Sequence, residues 1–404
     1  MLRPSLAQEV ARETAAVTGL GILITDRDGM VIGSSDVKRV GTFHEASVDV
    51  IRTREPASHT AKQASVLRGV RPGLTLPIIV DSEAVGTVGI TGAPARVRRF
   101  GPVVRRHTEI LLEESAALQT RLLRERAVED LLHDIVNYDP EVAEPDLVLS
   151  RAAELGYDLH LARSVVVIEV TIGVDRPRAL PHDVSLLRSE LVRTIRDQFA
   201  DAQTIVATLA TPTFAILHHL PSGSAAGSQT ATFEGCHRII KLIRDRHQLT
   251  ARAGIADPAT SLGELHDAYH DACDALRLGC RLRPDDAVFP IRDMRKYQLL
   301  HAVGPRARKR LSDTEIGSAR SAADWPTLRR TTVAWCENGF NLVRAASALH
   351  VHRNTLVYRL AKIAELTGCE IRDHAAGLSL YLACLADELE ACSSAGSPST
   401  LPNG

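Results

Sequence analysis

The spacing of apolar and polar positions changes period several times along the chain, and each change marks an expected element. Residues 6–17 place Leu6, Val10 and Val17 at helical intervals. Residues 19–33 run as an apolar strand, a turn and a second apolar strand, and the turn pair Asp28-Gly29 is one that tight hairpins favour. A new helix is expected from Glu45. Residues 69–78, Gly-Val-Arg-Pro-Gly-Leu-Thr-Leu-Pro-Ile, read as a turn entering a strand. Asp81-Ser82-Glu83 then closes a hairpin, and residues 85–91 form a glycine-punctuated return strand. Helix, hairpin, helices and antiparallel strands make an α+β domain of about 95 residues, an ordinary size for one core.

Residues 96–137 carry Val104, Leu111, Leu118, Leu122, Val128, Leu131 and Ile135 on a long helical stretch. This spacing suits a partner helix, and equally a connector packed on its own domain. Asp139-Pro140 and Glu144-Pro145 end it. Beyond them the expected order is a strand at 164–170, a helix at 184–199, strands at 204–209 and 213–218 around Thr211-Pro212, a helix at 232–246, a strand at 251–256 and a helix at 262–278. That βαββαβ order predicts a ferredoxin-like sheet. Residues 222–228 read as a loop, and residues 281–324 as a connector whose helix at 291–303 joins the C-terminal domain. A helix at 327–336 stops at Asn338-Gly339, and an apolar helix at 376–389 closes the chain.

Between these last two lies the most informative pattern. Residues 341–362 read as two short helices broken at Leu349-His350-Val351. Leu342, Ala345, Ala346 and Leu349 face inward from the first, and Val351, Leu356, Leu360 and Ile363 from the second. His352, Arg353, Asn354, Thr355, Tyr358, Arg359 and Lys362 remain on the outer face. These side chains bond base edges and phosphates, and no carboxylate interrupts them along the helix. The same spacing also fits a plain structural helix pair.

Composition narrows the picture. With 404 residues the chain exceeds one ordinary core, and its net charge of −1 means that any nucleic-acid contact is local. Residues 325–381 hold seven Arg or Lys against four acids, an excess of three that fits a specific binder better than a polycation tail. Seven scattered cysteines without a CxxC pair argue against a disulfide framework or zinc site. No segment is long and apolar enough for a membrane span, no leader is evident, and residues 393–404 read as a disordered tail. The chain is expected to be cytoplasmic.

Two features of the N-terminal third could carry ligand chemistry. Arg39 precedes Gly41, and Arg71 precedes Pro72-Gly73, so each cation sits at a glycine turn where backbone N–H groups can approach an anion. A dicarboxylate would suit two such poles. The alternative is that the glycines serve turns and the arginines are solvated, with His44 a structural residue at a helix start. No triad, Cys-His pair or metal-ligand spacing is present, so catalytic, metal and cofactor residues are expected to be none.

The motifs Arg39-Val-Gly-Thr-Phe-His-Glu45, Gly69-Val-Arg-Pro-Gly-Leu-Thr-Leu-Pro-Ile78 and Val88-Gly-Ile-Thr-Gly92 resemble, in order and spacing, the sugar diacid recognition domain of the carbohydrate diacid regulators, the CdaR family. The resemblance implies a PAS-like or Cache-like sensor that binds sugar diacids or glycerate, with a pocket drawing on Arg39, Gly41, His44, Arg71, Gly73, Leu74 and Gly92. Ala46-Ser47 stands where that family usually has Gly-Ala, and Thr75 where it usually has Asn.

The middle region resembles the degenerate GGDEF-like domain of such regulators. Residues 209–214, Leu-Ala-Thr-Pro-Thr-Phe, occupy the place where a nucleotide cyclase needs an acidic, glycine-rich hairpin, so cyclase chemistry is not expected. Residues 327–385, above all His352-Arg-Asn-Thr-Leu-Val-Tyr-Arg-Leu-Ala-Lys-Ile363, resemble the C-terminal helix-turn-helix of the PucR and CdaR-like activators. That resemblance implies that Arg353, Asn354, Thr355, Tyr358, Arg359 and Lys362 meet DNA.

The expected protein is therefore a multidomain α+β regulator and not an enzyme. It has a PAS/Cache-like sensor with its connector helix at 1–137, a ferredoxin-like, degenerate GGDEF-like domain at 138–290, and an all-α helix-turn-helix domain at 291–392. Its expected partners are a double-stranded DNA operator, a small carboxylate effector (a sugar diacid or glycerate) and a second copy of itself, with no membrane and no cofactor. A purine-related acid remains an alternative effector, and a nucleotide-processing enzyme the alternative class.

Overall fold

The computed structural model describes residues 3–80, 83–171, 181–199, 201–210, 212–221 and 225–395. The turn residues Asp81 and Ser82, Thr211, the start of the expected loop at 222–224 and residues 396–404 of the expected tail lie outside them. The chain divides into two compact units between Glu125 and Arg126.

The first unit runs α1 (Pro4–Thr18), β1 (Gly21–Thr25), β2 (Val31–Ser34), α2 (Glu45–Thr53), β3 (Ala57–His59), α3 (Ala61–Ala64), β4 (Gly73–Val80), β5 (Glu83–Thr91), α4 (Pro94–Val97) and the start of α5 (Gly101–Val136). Its sheet is antiparallel in the order β2-β1-β5-β4-β3. Strand alternation sends Ile22, Ile24, Leu74, Leu76, Ile78, Val88 and Ile90 into one core with Ala7, Val10 and Ala11 of α1 and Val97, Val104 and Leu112. Each aliphatic side chain fully buried there contributes about 2 kcal/mol. Thr25 and Thr87, directly opposite one another, belong to the other face together with buried Thr75.

The expected stripe of α1 is corrected. Ala7, Val10, Ala11 and Thr14 face inward, whereas Val17 is exposed. Small residues are required because α1 crosses β2 at backbone distance: a Cβ on Gly33 would fall 2.2 Å from the Ala7 carbonyl oxygen. The long helical stretch is also broken, with Arg98 to Phe100 separating α4 from α5. On α5, Leu118, Leu122 and Leu123 are exposed, while Val128, Leu131, Leu132 and Ile135 enter a core of the second unit.

The second unit continues with α6 (Pro145–Glu154), β6 (Arg163–Thr171), α7 (Pro181–Gln198), β7 (Ile205–Ala210), β8 (Thr213–His219), α8 (Ala225–His247), β9 (Thr250–Ala259), α9 (Leu262–Leu282) and β10 (Val288–Pro290). The sheet order is β10-β9-β6-β8-β7, antiparallel except for β10 beside β9. Without β10 this is the order a βαββαβ chain gives. Val166, Ile168 and Val170 pack toward Ile195, Ile239 and Ile243, and Val165 and Val167 toward Leu265, Ala272 and Leu276. Residues 225–228, expected as loop, open α8.

The expected connector is mostly helical: α10 (Ile291–Ala302), α11 (Pro305–Glu315) and a 3-10 turn, Gly317–Ser321. Then follow α12 (Trp325–Glu337), α13 (Leu342–Ala348), α14 (Arg353–Thr367) and α15 (His374–Ala395). Ile291, Met294, Tyr297 and Leu300 of α10 share a core with α9 and with Leu385 and Leu389 of α15, so residues on both sides of position 290 are packed together. A separate core joins Trp325, Leu328, Trp335, Ala345, Leu356, Leu360, Ile363 and Leu380. Buried Asp387 ties α15 to α12, accepting from Trp325 Nε1 at 3.0 Å, Arg329 Nη1 at 2.9 Å and Arg320 Nε at 2.8 Å.

Candidate functional site

In the first unit, β2 leads into a short 3-10 turn, Val37–Arg39, and then Gly41, which adopts φ +78° and donates its N–H to the Val31 carbonyl at 2.8 Å. This hairpin-like return points Arg39 at the turn before β4, where Arg39 Nη2 donates to the Gly69 carbonyl at 2.5 Å. Arg71, from the same turn, meets Asp36 Oδ2 at 3.0 Å. Gly69 is needed at this crossing: its φ is +72°, and a Cβ would lie 1.9 Å from the Phe43 carbonyl oxygen.

His44 sits immediately before α2 and is buried, with Nδ1 2.7 Å from Ser47 Oγ. Burial first, then the nearby charges of Arg39 and His59, hold its imidazole down to about 4, so it is neutral at pH 7. Arg39 is itself pulled below its ordinary value by burial and then by Arg71. Asp36 is lowered chiefly by its hydrogen bond from Arg71. Arg39 thus lies within electrostatic reach of Arg71 and of the His44 imidazole, and Arg71 is ion-paired with Asp36. An open groove of about 640 Å³, lined by Met30, Gly41, Thr42, Phe43, Arg68 and Gly69, runs beside them.

Of the expected ligand residues, Arg39, Arg71 and His44 are brought together, and Gly41 lines the groove. Gly73 and Gly92 shape strand ends: a Cβ on Gly73 would lie 2.1 Å from the Ile90 carbonyl oxygen, and Gly92 donates its N–H to the Pro72 carbonyl at 2.9 Å. Leu74 is corrected. It belongs to the apolar core, because it follows Gly73 on the opposite face of β4 from Thr75. Sequence reasoning did not find Asp36, His59, Gly69 or Thr87.

In the second unit, Asn341 caps α13, its Oδ1 accepting from the N–H groups of Val343 and Arg344 at 3.0 Å each. The turn to α14 passes through His350 at φ +50°, and His352 Nδ1 accepts the Asn354 N–H at 3.2 Å. Buried Ala345 and Ala346 belong to one core with Leu356, Leu360 and Ile363. This fixes α14 and leaves His352, Arg353, Asn354, Thr355 and Tyr358 exposed, Tyr358 by 67%. Arg359 is half-buried. No carboxylate stands among these residues along α14, but Lys362 Nζ lies 2.7 Å from Asp324 Oδ2, contributed by the segment before α12. That pair raises the lysine and lowers the carboxylate.

Among the described residues, no group of three or more His, Cys, Asp or Glu could hold a metal ion, and no helix is long and apolar enough to cross a membrane.

Residues 2–135 match the family model for sugar diacid recognition, residues 139–278 that for a GGDEF-like domain, and residues 328–386 that for the PucR C-terminal helix-turn-helix domain. A diacid-recognition unit followed by a GGDEF-like domain and a DNA-binding helix pair defines a helix-turn-helix transcriptional regulator. The chain is 26% identical over 390 residues to the carbohydrate diacid regulator of Escherichia coli, covering 96% of this chain and 98% of that protein. It is 25% identical over 386 residues to the protein YsfB of Bacillus subtilis, covering 95% and 97%. The purine catabolism regulatory protein of Bacillus subtilis is 28% identical over 135 residues, 33% of this chain and 25% of that protein. The chain is thus similar to the carbohydrate diacid regulator along nearly its whole length, with the sensor and helix-turn-helix models matched at its two ends.

Proposed function

We propose that the N-terminal unit senses a small hydroxy-carboxylate of the glucarate, galactarate or glycerate type and that its occupancy controls operator binding by α13 and α14 of a homodimer in the cytoplasm. The observation that carries this reading is that Arg39, held on the Gly69 carbonyl, and Arg71 lie close together near buried His44, next to the groove lined by Gly41 and Gly69, and that among the described residues Asp36 is the one carboxylate ion-paired with this group, through Arg71. Cations held this close favour an added anion. The sheet order β2-β1-β5-β4-β3 with α2 against one face supports a PAS-like or Cache-like sensor.

The middle domain serves as a non-catalytic spacer, since the β7–β8 turn supplies neither the carboxylate nor the glycine that a nucleotide cyclase needs. A second reading, a purine-related acid as effector, is favoured by the partial likeness to the purine catabolism regulatory protein. A thermal-shift panel of glycerate, glucarate, galactarate, a purine-related acid and unrelated acids separates the two. The hydroxy-acids are expected to raise the melting temperature, and Arg71→Ala to abolish the shift. An undiminished shift in that variant would sink the carboxylate clamp.

A further inference from the structure

Four buried polar side chains form a line through the first unit. His44 Nδ1 lies 2.7 Å from Ser47 Oγ, Ser47 Oγ lies 2.7 Å from Thr87 Oγ1, and Thr87 Oγ1 lies 2.9 Å from Thr25 Oγ1. His44 is 4% exposed, and the three hydroxyl residues are fully buried. The line is assembled from β1, β5 and α2, and the Thr25–Thr87 step is a direct cross-strand pair.

Each hydroxyl has one proton to donate and can accept from its neighbour, so the line has a direction. In one direction Thr25 donates to Thr87, Thr87 to Ser47, and Ser47 to His44 Nδ1; every hydroxyl proton is used. In the other, His44 donates from Nδ1, the remaining bonds reverse, and the line ends on the Thr25 proton. Thr25 Oγ1 has no hydrogen-bond partner other than Thr87 among the described residues. Stranding a buried donor disfavours that arrangement by about tenfold or more. The first direction therefore prevails, Nδ1 accepts, and the neutral ring carries its proton on Nε2, which has no partner among the described residues.

We propose that Ser47, Thr87 and Thr25 are positioning residues that lock His44 as an Nε2–H donor beside Arg39 and Arg71, so that the site selects a ligand presenting an acceptor oxygen to the imidazole. Three donors then meet the ligand, and a group that can only donate at that position is excluded. The inference rests on the small-acid reading for its ligand, but the tautomer is a property of the ligand-free chain.

Two measurements test it on the full-length protein. Long-range nitrogen–proton NMR of histidine-labelled protein at pH 7, with the His44 signals assigned by their loss in His44→Gln, is expected to show Nε2 protonated and Nδ1 bare. A protonated Nδ1 would overturn the proposal whatever the ligand is. Calorimetric titration with glycerate and glucarate should then find Ser47→Ala about tenfold weaker, the loss of one oriented hydrogen bond, and Ser47→Thr close to the unaltered protein. Unchanged affinity in Ser47→Ala would refute the positioning role. If the unaltered protein bound neither acid, the small-acid reading would fail while the tautomer result stood on its own.

Discussion

Lys362 Nζ and Asp324 Oδ2 lie 2.7 Å apart, so a cation of α14 is held by the residue that precedes α12. Its charge is therefore already balanced before DNA arrives. Asp324→Asn is expected to free Lys362 for phosphate and to steepen the dependence of log affinity on log salt by about one unit. Lys362→Ala should weaken binding less than Arg353→Ala, whose side chain is exposed and has no ion-pair partner among the described residues. Fluorescence anisotropy with a labelled duplex over a salt series measures both, and an unaltered slope in Asp324→Asn would discard the idea.

Gly69→Ala should destabilise the first unit. The new Cβ meets the Phe43 carbonyl oxygen at 1.9 Å, and φ of +72° strains any L side chain, so the cost is about 2 kcal/mol or more. Both the turn that carries Arg71 and the carbonyl that holds Arg39 shift with it. Urea unfolding reads the stability, and weakened acid binding should accompany it. A variant as stable as the unaltered protein would show that the 41–43 segment yields freely.

Acid should weaken the first unit through His44. Its folded value is about 4 against 6.5 for the free ring, so below about pH 6.5 the unfolded chain takes up a proton that the folded chain refuses. Stability then rises with pH, by about 1.4 kcal/mol per unit between these values, and the contribution is complete above pH 6.5. His44→Gln should flatten this part of the profile. Denaturant midpoints at pH 5 and pH 7.5 compare the two proteins, and equal slopes would mean that His44 is charged in the fold.

Asp387→Ala should cost about 3 kcal/mol, because the deletion leaves Arg329 and the Trp325 indole without their carboxylate inside the bundle. Thermal unfolding of the second unit tests this. A loss no larger than that of a surface substitution would mean that water replaces the carboxylate.

The elements were legible where periodicity was long and apolar, as in β6 and α14. What escaped was set by distance along the chain. Thr25 and Thr87 look like ordinary strand threonines, and only the register of β1 against β5 makes them one hydrogen-bonded step. Ser47 stood out solely as a departure from the family pattern. α11 reads as connector in the sequence because it lacks an apolar stripe; it is anchored instead by Arg308 donating to the Leu300 and His301 carbonyls and by Ser312 donating to that of Ala383. Three-residue β10 is too short to leave a pattern. The exposed basic face of α14 was legible, but Asp324 lies 38 residues before Lys362, beyond any local spacing rule.

Leu118 and Leu122 stand one helical turn apart on α5, 57% and 48% exposed, and Leu123 beside them is 58% exposed. If two copies pair along this face, Leu118 and Leu122 from each chain become buried. Each is already about half covered, so burying the rest gives about 1 kcal/mol apiece and about 4 kcal/mol for the four leucines, a share of the association energy that the pair cannot lose without weakening. Leu118→Glu with Leu122→Glu should therefore convert a dimer to a monomer. Because both positions are already exposed in the single chain, its melting temperature should fall only by what the lost association contributed. Sedimentation velocity decides: a monomeric unaltered protein, or a variant that still dimerises, would place the contact elsewhere.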